Sequence, residues 1–185
     1  MKRFLLAALL TLPLMFGAST AMAKDTVGAS VEFDRSYDVS GSYEHVYDEG
    51  TTLGASVSTL FGSGATLSGT RYEGQVGQNL NVLAFQLYGR AGIGGEFTTG
   101  NNFAYYQANA GLNVDLTDSL AWNAVNFRYR DAFDHNQNFR SERVRSGLTY
   151  EVLPDLALSA GGYYDLPLAG KPSDVGLIVG VSHSL

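Results

Sequence analysis

Apolar and polar residues take turns along most of this chain, and the period is two. At the carboxyl end Val175, Leu177, Val179 and Val181 alternate with Gly176, Ile178, Gly180 and Ser182 before His183, Ser184 and Leu185 close the chain. Successive side chains of a pleated strand point to opposite faces, so this pattern predicts a strand with one nearly all-apolar face. The same reading holds for Val27, Ala29, Val31 and Phe33, for Leu83, Phe85, Leu87, Ala91 and Ile93, for Ala104 through Val114, and for Leu156 through Tyr164. Polar connections separate the runs. Asn79, Asp118 and Asp155 each precede a new alternation, at intervals of 39 and 37 residues, and mark short turns. Longer polar stretches at Thr98–Asn101, Asp131–Asn138 and Leu166–Asp174 alternate with them. Hairpins with short turns at one end and variable loops at the other follow.

The pattern places ten strands near 26–36, 40–48, 51–61, 65–75, 81–97, 102–115, 119–131, 140–152, 155–165 and 174–185. Ser40–Asp48 alternates poorly, so eight strands, with that stretch as an external loop, is the competing count. Two local checks bear on the register. Around Asp131–Asn138 the even residues Asn126, Arg128 and Arg130 and the odd residues Arg143, Arg145, Thr149 and Glu151 are polar, as a turn centred near 134.5 requires. The strand from Leu120 changes phase: Leu120, Trp122 and Ala124 give way to Val125, Phe127 and Tyr129 as the apolar set, which predicts a bulge near Ala124.

Periodicity alone does not separate a soluble sandwich from a membrane barrel, but the aromatics do. Phe85, Trp122 and Tyr150 fall near the short-turn ends, while Phe97, Tyr106, Phe127, Tyr129 and Tyr164 fall near the loop ends, two belts about nine residues apart. The polar face carries Glu32, Asp34, Arg90, Arg128, Arg130, Arg143 and Arg145. Between two sheets of a sandwich each unpaired ion would cost several kcal/mol. In hydrocarbon, a closed sheet is the strand arrangement that leaves no backbone edge unpaired. The fold expected is therefore all-β: a transmembrane up-and-down antiparallel β-barrel of ten strands.

Composition sharpens this. Residues 1–23 have a basic start at Lys2 and Arg3, an apolar core from Phe4 to Phe16 and small residues at Ala21 and Ala23, the pattern of a cleaved export signal. That core is too short to span a bilayer. The remaining 24–185 fits one domain, with 10 Lys and Arg against 18 Asp and Glu, a net charge of about −8 that argues against nucleic acid as a partner. The sequence has no cysteine and no later apolar run long enough for a spanning helix.

In this pattern the whole segment 24–185 resembles the small outer-membrane β-barrel proteins of Gram-negative bacteria. Such barrels usually finish in Phe, where this chain has Leu185 with His183 two positions earlier. Arg128-Tyr129-Arg130 followed by Arg140, Arg143 and Arg145 on the returning strand is similar, over about thirty residues, to the acidic-oligosaccharide porins. The resemblance implies a place among outer-membrane lipids and lipopolysaccharide, reached through the periplasm; a monomer is the default, because no long apolar patch beyond the lipid band is visible. It also implies a small anionic solute as a candidate cargo.

The candidate chemistry lies in the lumen. Arg90, Arg128, Arg130, Arg143 and Arg145 form a possible cationic track; alternatively Glu32, Asp34, Glu96 and Glu151 neutralise them and the network fills the barrel. The second reading is the default for a narrow barrel, where side chains fill the interior. Acyl-transfer chemistry would need one of the histidines His45, His135 and His183 beside a serine and an acid. His183 is flanked by Ser182 and Ser184, but alternation turns neither serine to its side of the strand; Asp134-His135-Asn136 is a turn sequence, and His45 sits in the weak Tyr43–Tyr47 stretch. Gly89–Gly95 runs through a strand and opens no helix, so it makes room for neighbouring lumen side chains rather than cradling phosphate. The expected function is a narrow passive channel or a structural envelope component, without catalytic residues, metal or cofactor. A lipid-acyl hydrolase or transferase and an adhesion or phage receptor are the alternatives.

Overall fold

The structure, a computed structural model, describes residues 24–34, 36–62, 67–137, 139–168 and 173–185. The expected export signal therefore lies outside the described residues. Ten strands follow one another: β1 (Lys24–Phe33), β2 (Tyr37–Val46), β3 (Thr51–Phe61), β4 (Leu67–Val82), β5 (Phe85–Thr98), β6 (Asn102–Thr117), β7 (Leu120–Ala132), β8 (Ser141–Leu153), β9 (Leu156–Asp165) and β10 (Asp174–Ser184). Each pairs antiparallel with its sequence neighbours, and β1 pairs with β10 from Thr26 opposite Ser184 to Phe33 opposite Leu177. The sheet closes on itself and has no free edge. At 10 to 16 residues every strand is long enough to cross a hydrocarbon layer.

Alternation decides which way each side chain faces. Val175, Leu177 and Val179 stand outward and exposed, as do Leu53, Val57 and Ile93. Tyr105, Tyr163, Gln107 and Arg130, each less than a tenth exposed, fill the interior. β2 is a true strand in full register with β1 and β3, so the barrel has ten strands and not eight.

The bulge falls where the phase change placed it. Leu112 faces Val125 and Asn113 faces Asn123, so Ala124 is the extra residue of β7. Across to β8 the same extra residue separates Asn123 opposite Gly147 from Asn126 opposite Arg145. Arg128 opposite Arg143 and Arg130 opposite Ser141 keep the even-to-odd pairing, with the turn centred at 135.5, one residue later than expected. His135–Gln137 forms a single 3-10 turn there, held by Gln137 N donating to Asp134 O at 3.0 Å.

One turn moved. Gly77, Gln78 and Asn79 lie inside β4, and the reversal comes at Leu83 and Ala84, with Leu83 at φ 57°. The Asn79 side chain is buried and its backbone is part of the ladder, so a residue with high turn propensity was overruled by strand pairing. The turns at Asp118 and Asp155 stand where the sequence put them. Asp155 adopts φ 68°, a left-handed geometry that Asp tolerates.

Candidate functional site

Inward-facing positions from all ten strands build the site. Six lumen arginines, Arg71, Arg90, Arg128, Arg130, Arg143 and Arg145, meet six carboxylates, Glu32, Asp38, Glu44, Glu73, Glu96 and Asp165. Some pairs join neighbouring strands. Arg71 donates through Nε (3.1 Å) and Nη2 (2.7 Å) to Glu96 Oε2, its register partner, and Arg143 Nη2 reaches Asp165 Oδ2 at 2.7 Å. Others are chords across the interior. Arg71 Nη1 reaches Asp38 Oδ2 at 3.2 Å, Arg90 Nη2 lies 2.9 and 2.8 Å from the two oxygens of Glu44, and Arg143 Nη1 reaches Glu32 Oε2 at 2.5 Å. Arg145 pairs with the other oxygen of Glu32, and Arg130 pairs with Glu73. Tyr105 Oη donates to the same Glu73 at 2.5 Å. Chords of this kind pull non-adjacent walls together, which side-chain pairs along one hairpin cannot do.

Arg128 is different. Among the described residues it makes no ion pair and no hydrogen bond, and its Nε is buried without a partner. It stands directly opposite Arg143 in the ladder, a like-charge pairing that is unfavourable unless something negative is near. Both oxygens of Glu32, the carboxylate best placed to answer it, are taken by Arg143 and Arg145. On the facing wall Ser30, Ser40, Ser42, Ser56 and Ser58 of β1 to β3 are register neighbours of one another and form a patch of hydroxyls flanked by the ion-paired Glu32, Asp38 and Glu44.

The interior is not solid. A cavity of about 420 Å³ occupies the middle and loop-side part of the lumen, bordered by Arg128, Arg130 and Arg145, by the carboxylates Glu32, Asp38 and Glu73, by the serines and by Gln75, Gln107, Asn109 and Asn126. A second, of about 650 Å³, opens toward the short turns between Asn81, Leu83, Phe85, Gln86, Asn113 and Asp115. Tyr88, Arg90, Asn123 and Thr149 border both.

The expected lumen residues Arg90, Arg128, Arg130, Arg143, Arg145, Glu32 and Glu96 come together here. Two others do not. Glu151 is exposed at the end of β8, where the register shifts before Leu153, and its Oε1 accepts from Asp155 N in the turn at 3.3 Å; it neutralises no arginine. Asp34 lies past the end of β1 at the loop mouth. Burial pushes its carboxyl up, but donation from Ser36 N (2.5 Å), Ser36 Oγ (2.7 Å) and Tyr163 Oη (2.8 Å) outweighs this and holds it below the ordinary carboxylate range. Asp38, Glu44, Arg71, Glu73 and Asp165 were missed. Their even or odd parity matched the polar face in each case, and the parity of β2 and β4 was the signal available.

The aromatics expected in two belts all face outward. Phe85, Trp122 and Tyr150 are exposed near the short turns, and Trp122 Nε1 donates to Ser146 Oγ at 3.2 Å. Phe97, Tyr106, Tyr129 and Tyr164 lie toward the loops, where Tyr129 Oη donates to Asp131 Oδ2 at 3.0 Å. Phe127 lies in the middle of β7 and belongs to the apolar band rather than to a belt. The histidines are all outside the lumen. His45 Nδ1 lies 2.6 Å from Asp25 Oδ1, which also accepts from Tyr43 Oη at 2.8 Å, on the outward face near the short turns. His183 Nδ1 lies 2.9 Å from Asp155 O, and exposed His135 lies 3.9 Å from Asp131. Among the described residues no serine hydroxyl contacts any of them.

A closed ten-stranded meander with an apolar exterior and a charged, partly hollow interior is the architecture of a transmembrane up-and-down β-barrel. The chain is similar to the NanC porin, with a TM-score of 0.54 and 11% identity over 87% of this chain and all of that one. It is similar also to the KdgM porin in complex with disordered oligogalacturonate, with a TM-score of 0.51 and 16% identity over 86% of this chain and 99% of that one. At such identities the likeness shows a shared fold. No family model and no curated protein matches the sequence.

Proposed function

We propose that the protein is a narrow passive channel of the Gram-negative outer membrane, with a preference for small anionic solutes. Lipid and lipopolysaccharide surround its apolar band, and the periplasm lies on the short-turn side. One chain closes the barrel, and a monomer is sufficient for the pore. The observation that carries this reading is the lumen itself: two polar cavities, the first of them bordered by Arg128, which among the described residues makes no direct ion pair. A purely structural barrel would gain nothing from leaving a guanidinium with its Nε buried and no direct carboxylate partner, because an unpaired polar group is destabilising. A solute anion passing the loop-side cavity meets that guanidinium on one wall and hydroxyl donors on the other, while the carboxylates that also border the cavity, Glu32, Asp38 and Glu73, are each held by arginine, so it exchanges water for fixed donors at each step.

Conductance of the purified barrel in planar bilayers tests the proposal. Discrete steps with anion preference are expected, and the preference should fall when Arg128 becomes Gln. The absence of any conductance under all voltages and salts would leave the structural reading. For that reading the favouring observation is the set of ion pairs spanning the interior.

A further inference from the structure

Two adjacent inward positions of β5 send their side chains in opposite directions across the lumen. Tyr88 lies over Gly111 of β6, where a Cβ would come within 2.4 Å of the phenol, and its hydroxyl accepts from Asn126 Nδ2 at 2.9 Å and Asn123 Nδ2 at 3.1 Å on β7. Arg90 lies over Gly77 of β4, where a Cβ would meet Arg90 Cγ at 2.5 Å, and reaches Glu44 on β2. Gly111 and Gly77 are the register partners of Tyr88 and Arg90, so each glycine clears the path of the side chain beside it. The guanidinium sits 4.9 Å from the centre of the Tyr88 ring. Together Glu44, Arg90, Tyr88, Asn123 and Asn126 form a bar running from β2 to β7. Tyr88 and Arg90 border both cavities.

We infer that this bar is the constriction of the channel: it separates a loop-side chamber from a short-turn chamber, and the Arg90–Glu44 ion pair sets the charge a solute meets as it crosses. This rests on the channel reading. The pair is net neutral, so the bar limits size while Arg128, in the chamber before it, favours anions. Removing either member of the pair uncovers the other charge at the narrowest point, where the selectivity of a pore is decided.

The test uses the whole processed barrel in planar bilayers under a salt gradient, with folding of each variant checked by its gel mobility before and after boiling. Glu44→Gln should move the reversal potential toward anion preference, and Arg90→Gln toward cation preference. The double variant Tyr88→Ala with Arg90→Ala should raise the unitary conductance at least about twofold, because it removes the bar's central section. If that variant does not fold, the opposite shifts of the two single variants decide alone. Should the wild-type barrel be silent and the double variant conduct, the bar plugs the lumen, and the channel reading and the selectivity assigned to the Arg90–Glu44 pair fall together. If the wild-type barrel conducts and none of the variants changes conductance or reversal potential, the bar is overturned while the channel reading survives. If no form conducts, both fall.

Discussion

Glu32 is the carboxylate on which the interior depends most, and its replacement by Gln gives the sharpest test of the network. One oxygen holds Arg143 at 2.5 Å, the other holds Arg145, and their side chains are 14%, 11% and 24% exposed respectively. Gln keeps the volume and removes the charge. Arg143 retains Asp165, whereas Arg145 loses its ion pair. A buried arginine deprived of its partner costs about 3–5 kcal/mol, and a fully exposed one under about 1. Arg145 is mostly covered but lines a polar cavity, so a loss of about 2–3 kcal/mol is expected. The chain has a single tryptophan, Trp122, on the outward face, and its fluorescence during urea unfolding in phospholipid vesicles reads the change without interference. Adding Arg145→Gln removes the stranded charge, so the double variant should recover at least about 1 kcal/mol relative to Glu32→Gln alone. A single variant within about 0.5 kcal/mol of wild type, or a double variant with strictly additive losses, would refute the reasoning.

Further expectations follow from the walls and loops. Gly161 packs against Gly147 across β8 and β9, where a Cβ would sit 2.4 Å from Ser146 O, so Gly161→Ala should destabilise by about 1–3 kcal/mol; Gly89→Ala, with open space around it, should cost under about 0.5, both read by urea unfolding. Trp122 near the short turns should be quenched more by bromines placed shallow in the acyl chains than by bromines at the bilayer centre; the reverse order would misplace the belt. In the β7–β8 loop, donation from Asn136 N at 3.0 Å holds the Asp134 carboxyl below its ordinary value. That contact is present above the ordinary carboxylate range and is lost as pH falls through the lowered value. Exchange of the Asn136 amide should therefore be slow at neutral pH and accelerate, beyond its intrinsic dependence, only as pH falls below the ordinary carboxylate range, and Asp134→Ala should abolish the difference.

The outward face was the legible part of this protein. β1, β5, β6, β9 and β10 write it in uninterrupted alternation, because oil tolerates little else there, and even the slip at Ala124 left its mark as a change of phase. β2 was harder to read since its outward positions include Gly41, Tyr43 and His45, whose polarity is answered by Asp25 on the neighbouring strand. The turn after β4 was misplaced because Gly77 and Asn79 look like turn residues. Gly77 in fact clears space for Arg90, and Asn79 is a buried strand position. Within the lumen the sequence showed that charges gather but not which charges meet. Glu32 with Arg143 and Arg130 with Glu73 are far apart in the chain and join strands that are not neighbours, so no local spacing encodes them. Glu151 has the right parity for the lumen but is drawn into the turn by the register shift beside it.

The strands of this barrel have faces that divide lipid from a polar interior. Spin labels placed singly from Val175 to Ser184 of β10 in bilayers, scored for collision with oxygen and with a water-soluble nickel complex, measure that division residue by residue. The account predicts oxygen maxima at 175, 177, 179 and 181 and nickel maxima at 176, 178, 180 and 182, out of phase with period two. Two profiles that rise and fall together, or uniform access to nickel along the strand, would contradict it.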